Sequence, residues 1–230
     1  MTRRSGSSGA QTLKAIRKAG LRLIFEHGYE AMSLRHLAGE VGIQAGSLYN
    51  HIATKQQLLV DLIREHMEDL ISSLDARLDG IDDPVERLRA FVEFHVSTHM
   101  WRKQEVYIST FELRALEPAN YARIIRLRGL YEERLNAILD LGVAQRRFDL
   151  ADTRLATFAL LAMLTGVCTW YRPNGRLSKE AIVDLHISLV VHGVIGKTSR
   201  AASRRSTKPP SRTLQGRWPR PSVPARRTPA

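Results

Sequence analysis

Between Ser33 and Leu58 the chain runs SLRHLAGEVGIQAGSLYNHIATKQQL, and this stretch constrains its fold more than any other. Leu34, Leu37, Ala38 and Val41 recur at i, i+3, i+4 and i+7, the inward stripe of a helix too short to be stable alone. Gly42 follows where the chain must turn through positive φ, and Ala38 is small where two helices would cross. Leu48 and Ile52 then point a second short helix back at the same core. Gln44, Ala45, Gly46, Ser47, Tyr49, Asn50 and His51 are left over its outer side and ends. The pattern is a helix-turn-helix, and its outer side has the dimensions of a major-groove reader.

The polar set Ser47, Tyr49, Asn50, His51 and Lys55 combines hydroxyls for phosphates, base-edge hydrogen bonders and a point charge for the backbone. A compact three-helix unit with a purely structural role would not need that mixture.

The segment resembles the tetracycline-repressor (TetR) family of bacterial transcriptional regulators. The resemblance rests on Gly28-Tyr29, Ser33, Leu37-Ala38, Val41-Gly42-Ile43, Gly46-Ser47-Leu48-Tyr49-x-His51 and Lys55-x-x-Leu58. It implies that Tyr49 and Lys55 hold phosphates, that Ala45, Gly46, Ser47 and Asn50 face bases, and that Ser33 caps its helix toward the DNA backbone. Two positions depart from the family's pattern. Gln44 stands where Ser is common, which weakens the cap of the recognition helix and its phosphate contact, and Ile52 stands where Phe is common.

The net charge of +12 belongs mostly to one end. Ten basic residues and no acid follow from Lys197 onward, so residues 1–196 carry only +2. The basic pI is therefore no argument that the folded part binds nucleic acid. Six of the nine prolines also lie there, and a disordered tail over 197–230 is expected, either a nonspecific DNA-binding arm or a solvated extension. Residues 1–11 read as a flexible basic arm, with Arg3 and Arg4 in reach of a minor groove, and not as a signal peptide. A single cysteine, Cys168, excludes an intramolecular disulfide and a multi-cysteine zinc site, and in its apolar context reads as a small buried hydrophobe. The chain reads as cytoplasmic.

Helical periodicity continues to the end of the folded part. Helices are predicted over Thr12–His27, Ser33–Val41, Ala45–His51, Lys55–Leu78, Pro84–Trp101, Glu105–Leu116, Ala119–Leu141, Thr153–Tyr171 and Ser178–Ile195. Gly28, Gly42 and Gly80 suit helix ends, Asp83-Pro84 is an N-cap with proline at N1, and Ser178 caps the last helix. The expected fold is all-α with about nine helices. A helix-turn-helix domain over 12–54 joins a larger helical ligand-binding and dimerisation domain over 55–196 through the long helix from Lys55.

The apolar run Leu155–Tyr171 is interrupted by Thr157, Thr165 and Gly166; it reads as too short to span a bilayer and as a helix buried on all sides. With Ile182, Leu185, Leu189, Val190, Val194 and Ile195 in the last helix, it is apolar nearly all round, which calls for a second buried face. Homodimerisation through these two helices is the simplest account, and the resemblance implies the same arrangement on an inverted-repeat operator.

Phe94, Trp101, Tyr107, Phe111 and Tyr131, with His95 and Arg128 among them, lie where the family encloses a small-molecule cavity; an ordinary core is the alternative. His95 and His99 have a metal-compatible spacing but no third ligand, so neither a metal nor a resident cofactor is expected. Trp170-Tyr171-Arg172-Pro173-x-Gly175-x-Leu177-Ser178, with Arg176 between, is similar to the branch of the family that responds to acyl-CoA thioesters. The resemblance implies Trp170 on the adenine and Arg172 and Arg176 on phosphates. No carboxylate pair, Ser-His-Asp order or phosphate loop points to an enzyme. Two readings stay open at this level: a ligand-responsive DNA-binding repressor, and a helical ligand-binding or adaptor protein without DNA reading.

Overall fold

The computed structural model describes residues 9–195, so the expectations for Arg3, Arg4 and the tail from Lys197 lie outside the described residues. The described chain is α-helical throughout: α1 (Gly9–His27), α2 (Leu34–Val41), α3 (Ala45–Leu48), α4 (Lys55–Leu78), α5 (Pro84–Trp101), α6 (Lys103–Phe111), a 3-10 turn (Leu113–Ala115), α7 (Pro118–Ala144), α8 (Thr153–Thr165), α9 (Val167–Trp170) and α10 (Lys179–Ile195).

Local capping chemistry sets most boundaries. Ser33 Oγ accepts the His36 N–H at 3.1 Å, Thr54 Oγ1 that of Gln57 at 2.9 Å, and Ser178 Oγ that of Ala181 at 3.1 Å. Asp83 Oδ1 accepts from Val85 and Glu86 with Pro84 at the first helical position, as expected. Gly42 closes α2 at φ 75°, a left-handed conformation that side chains resist.

Several boundaries differ from the sequence reading: the helix expected over Glu105–Leu116 runs from Lys103 to Phe111 and gives way to the 3-10 turn, and the one expected over Ala119–Leu141 runs from Pro118 to Ala144. α1 begins at Gly9, so residues 9–11 of the expected flexible arm are helical. The helix expected over Ala45–His51 is regular only to Leu48, and residues 49–51 continue as turns; Gln44 places no side chain on the helix end. The helix expected over Thr153–Tyr171 breaks at Gly166. There the Thr169 N–H at 3.1 Å and its hydroxyl at 2.8 Å both take the Gly166 carbonyl, which tightens the turn.

α5 lies at the centre and touches α4, α6, α7, α8, α9 and α10, with Leu88, Phe91, Val92 and Val96 fully buried. Arg134 grips the Asp75 carboxylate through Nε at 3.1 Å and Nη2 at 3.0 Å, tying α7 to α4. α8 is not buried on all sides. Leu164 and Thr157 face inward, while Leu155 is 66% exposed and Phe158 and Met163 are exposed too. The stretch Thr153–Trp170 has a mean hydropathy of 1.3, enough by length and composition to cross a membrane, contrary to the expectation that it is too short. Here it is a broken helix with one face packed against α5 and α7.

Candidate nucleic-acid interface and ligand cavity

α2 and α3 pack through Leu37, Ala38, Leu48 and Ile52, all buried, together with Ile16, Leu23 and Ile24 of α1. The turn between them is locked by Gly42 and Ile43, whose N–H groups donate to Gly39 and Ala38 carbonyls. Burying Leu48 and Ile52 turns the other side of α3 outward. Gln44, Ala45, Gly46 and Asn50 are exposed, Ser47 and His51 are partly so, and Tyr49 is 60% exposed. Ser33 is exposed at the start of α2, its hydroxyl occupied by the cap. The sequence-predicted DNA-facing residues of α2, α3 and the turns after α3 are therefore all exposed or partly exposed.

Lys55 has an additional attachment. Its Nζ donates to the Glu30 carbonyl at 3.1 Å and sits 4.3 Å from the centroid of the Tyr29 ring. This fixes the ammonium at the entrance to α4 rather than leaving it to sweep through solvent.

A cavity of about 380 Å³ lies between α4, α5, α6, α7, α8 and α9. Of the residues predicted to line it, His95, Phe111, Arg128 and Tyr131 do. Phe94 and Trp101 instead border a groove on the outer side of α5; Trp101 is 79% exposed with the Lys179 ammonium 4.9 Å from its ring. Tyr107 faces the first domain, 5.2 Å edge-on from Phe25 of α1 and 4.6 Å from Phe111. Trp170 lies on the surface, parallel to the His186 ring at 6.2 Å, and Arg172 and Arg176 are exposed beyond it. These three follow Thr169, which lines the cavity.

The polar wall of the cavity is built around three buried histidines. His95 and His99, one turn apart, stack at 3.7 Å between ring centroids. His95 has both nitrogens occupied, Nδ1 at 2.9 Å from the Tyr131 hydroxyl and Nε2 at 3.2 Å from Thr165 Oγ1. His99 donates its Nδ1–H to the His95 carbonyl at 2.7 Å. Burial holds all three imidazoles neutral: His66 is pushed down to about 3, with Arg102 and His99 adding to the effect, His99 to about 4, and His95 well below the ordinary value. Among the described residues no group of three or more His, Cys, Asp or Glu side chains is assembled that could hold a metal ion. Cys168 is buried, lines the cavity, and has its thiol pushed up by desolvation.

Sequence reasoning missed His66 and the contacts that join cavity to reading head. Glu112, just past α6, accepts the Tyr29 N–H at 3.3 Å. Gln56 donates to the Ala115 carbonyl at 3.0 Å and the Tyr29 hydroxyl at 3.3 Å, and accepts from the Glu117 N–H at 3.4 Å. A carboxylate directly between Phe111 and Leu113 was the available signal for Glu112.

Known proteins share this fold. Residues 16–62 match the family described as "Bacterial regulatory proteins, tetR family", and residues 81–194 match "Tetracyclin repressor-like, C-terminal domain". The HTH-type transcriptional repressor KstR2 of Mycolicibacterium smegmatis is 27% identical over 173 residues, 74% of this chain and 83% of that protein. The structure of the TetR family transcriptional regulator PfmR from Thermus thermophilus is 31% identical with a TM-score of 0.70, covering 76% of this chain and 96% of that one. AibR, solved in complex with isovaleryl coenzyme A and operator DNA, is 28% identical with a TM-score of 0.72, covering 77% and 97%. Helix-turn-helix, central cavity and both family matches agree: the chain belongs to the TetR family of bacterial transcriptional regulators.

Proposed function

We propose that this protein is a cytoplasmic, non-enzymatic homodimeric repressor that reads an inverted repeat and leaves it when an acyl-CoA thioester enters the cavity. The observation that carries the reading is the position of Phe111. Its ring lines the cavity and also packs at a tilt against Tyr107, 4.6 Å between centroids, which meets Phe25 of the helix-turn-helix unit edge-on. A ligand that displaces Phe111 acts directly on the reading head.

In this reading residues 12–54 form the DNA-binding domain and 55–196 the ligand-binding and dimerisation domain. Tyr49 and Lys55 hold phosphates. Ala45, Gly46, Ser47 and Asn50 approach base edges, with Ser33, Gln44 and His51 at the rim. The fixed position of the Lys55 ammonium supports its role, since a tethered charge loses less entropy on meeting a phosphate.

The acyl group occupies the cavity, and the CoA portion extends over Trp170, Arg172 and Arg176, whose exposure beside Thr169 supports that path. Two recognition helices must sit about 34–36 Å apart to read successive major grooves, so a small rotation of each first domain breaks the match. A coupling of about 1–3 kcal/mol lowers operator affinity by roughly 5- to 150-fold.

The reading is tested by selecting bound sequences from a random duplex pool at about 150 mM salt, then titrating isovaleryl-CoA and longer acyl-CoA thioesters against the selected duplex. An inverted repeat that is bound by the wild type, lost in a folded Tyr49→Ala variant and released by an acyl-CoA is the expected outcome. No enriched sequence would leave a ligand-binding or adaptor protein as the better account.

A further inference from the structure

Two side chains on the cavity wall carry hydrogen-bonding capacity that the protein does not use. His66 of α4 is 2% exposed, and its buried Nδ1 has no partner. His99 and His186, in equivalent helical settings, each donate Nδ1–H to the carbonyl one turn back at 2.7 Å; His66 does not. Arg128 of α7 is half-buried and spends one N–H on the Ser109 carbonyl at 3.0 Å. It joins no ion pair among the described residues, while Arg64, Arg102 and Arg134 all have carboxylate partners. A buried imidazole without a partner and a guanidinium without a carboxylate carry a desolvation penalty that a ligand can relieve.

The Arg102 guanidinium, itself paired with Asp69 and Glu105, lies near enough to His66 to help hold its imidazole neutral, and Arg128 acts on His99 in the same direction. The acid on the wall, Glu132, faces Arg154 at 3.8 Å. The rest of the lining is mostly apolar, with Met67, Leu70 and Leu161, interrupted by the neutral hydroxyls of Thr110, Thr165 and Thr169.

We infer that the cavity recognises a carboxylate on an otherwise apolar organic molecule, paired by the Arg128 guanidinium and hydrogen-bonded by His66. Planar N–H pairs of a guanidinium match a carboxylate in a bidentate manner, which an ester, amide or plain alkyl end cannot reproduce. The inference rests on the reading of the cavity as the effector site and narrows the effector to an acid. The acid is either a free carboxylic acid or the CoA half-thioester of a dicarboxylic acid, whose distal carboxylate would reach the buried end.

Calorimetric titration of the full chain with heptanoate, heptanamide, adipoyl-CoA and hexanoyl-CoA separates these sources. At least one acid should bind tenfold or more tightly than its uncharged counterpart. Preference for heptanoate over heptanamide identifies a free acid, and preference for adipoyl-CoA over hexanoyl-CoA a half-thioester. The Arg128→Gln variant should lose the preference. His66→Leu should weaken the preferred acid about tenfold while raising the melting temperature of the unliganded protein, a combination that a merely structural histidine would not give.

Equal binding of acid and uncharged partner, no binding by either acid, or a preference that survives in folded Arg128→Gln and His66→Leu overturns the inference. Operator release is read separately by fluorescence anisotropy. Release by hexanoyl-CoA without any acid preference sinks the carboxylate and leaves the repressor standing. An acid preference without operator release does the reverse.

Discussion

Glu112 accepts a hydrogen bond from the Tyr29 N–H at 3.3 Å, joining residues 83 apart in sequence. Both are buried, and Glu112 directly follows Phe111 of the cavity wall. The backbone N–H just past the positive-φ Gly28 is thus held by a group one peptide unit from the ligand space. Ligand movement at Phe111 and position of the first domain therefore share one short segment.

Glu112→Ala should uncouple the two. The variant should stay folded, since a single charge-assisted hydrogen bond contributes about 1.5–3 kcal/mol. Its operator affinity should become less sensitive to effector, the ratio of free to liganded Kd falling toward one. Anisotropy titrations with and without saturating effector measure that ratio; an unchanged ratio removes Glu112 from the path.

Gly142 tests packing rather than coupling. A Cβ added there would overlap the Phe148 ring, which is 5% exposed and packs across the end of α7. The Arg147 and Phe148 N–H groups both donate to the Gly142 carbonyl, so the loop cannot easily move away. Gly142→Ala should cost about 1–3 kcal/mol, lowering Tm by roughly 2–4 °C for each kcal/mol. Gly20→Ala is the contrast, because its added Cβ comes to 2.9 Å from the end of the flexible Leu58 side chain rather than into a ring, and the helix gains from alanine. Thermal melts of the two variants should separate clearly; equal Tm values would show that Phe148 is free to swing out.

How far the sequence discloses the protein depends on the range of the interactions. Ser33, Thr54, Asp83 and Ser178 cap within three residues of themselves, and their helices start where the local pattern places them. The proposed recognition surface is legible for the same reason: with Leu48 and Ile52 inside, Tyr49 and Asn50 in the turns between them are left exposed. The cavity is different. Phe94 and His95 are neighbours in sequence, and only the rotation of α5, set by six packed helices, sends His95 to the cavity and Phe94 to the outer groove. His66 sits in the charged run Arg64-Glu65-His66-Met67-Glu68-Asp69, which locally resembles a solvated face. Its burial comes from α4 crossing α6 and α7.

The buried imidazoles also make stability depend on acid. In the folded protein His66 and His99 bind protons only near pH 3 and 4, and His95 well below its ordinary value. In the unfolded chain each binds a proton near pH 6.5. Below that value the unfolded state takes up protons that the folded state refuses, so stability is full above about pH 6.5 and falls as the pH drops toward 4. At pH 5 the loss is about 2 kcal/mol for each of His66 and His99, with His95 acting in the same direction. Melts at pH 7.5 and 5.0 should show a marked drop in Tm, smaller in His66→Leu. A Tm that stays flat over this range would mean that the histidines protonate inside the fold.

The apolar outer side of α8 and α10 carries the last prediction. Leu185 and Leu189, one turn apart on α10, are both exposed, Leu189 by 64%, and Leu155, Phe158 and Met163 of α8 are exposed as well. Burying one leucine contributes about 1.5–3 kcal/mol, and an interface between identical surfaces counts each residue twice. Leu189→Asp replaces that gain by two carboxylates facing an apolar partner, each costly to desolvate. Because the side chain is exposed within a protomer, the variant should keep its helical circular dichroism. Sedimentation should show a monomer where the wild type is a dimer. Operator affinity should fall at least a hundredfold, since one short recognition helix on a half-site makes too few contacts to hold alone. A variant that remains dimeric would place the interface elsewhere on the molecule and leave this apolar surface to another partner.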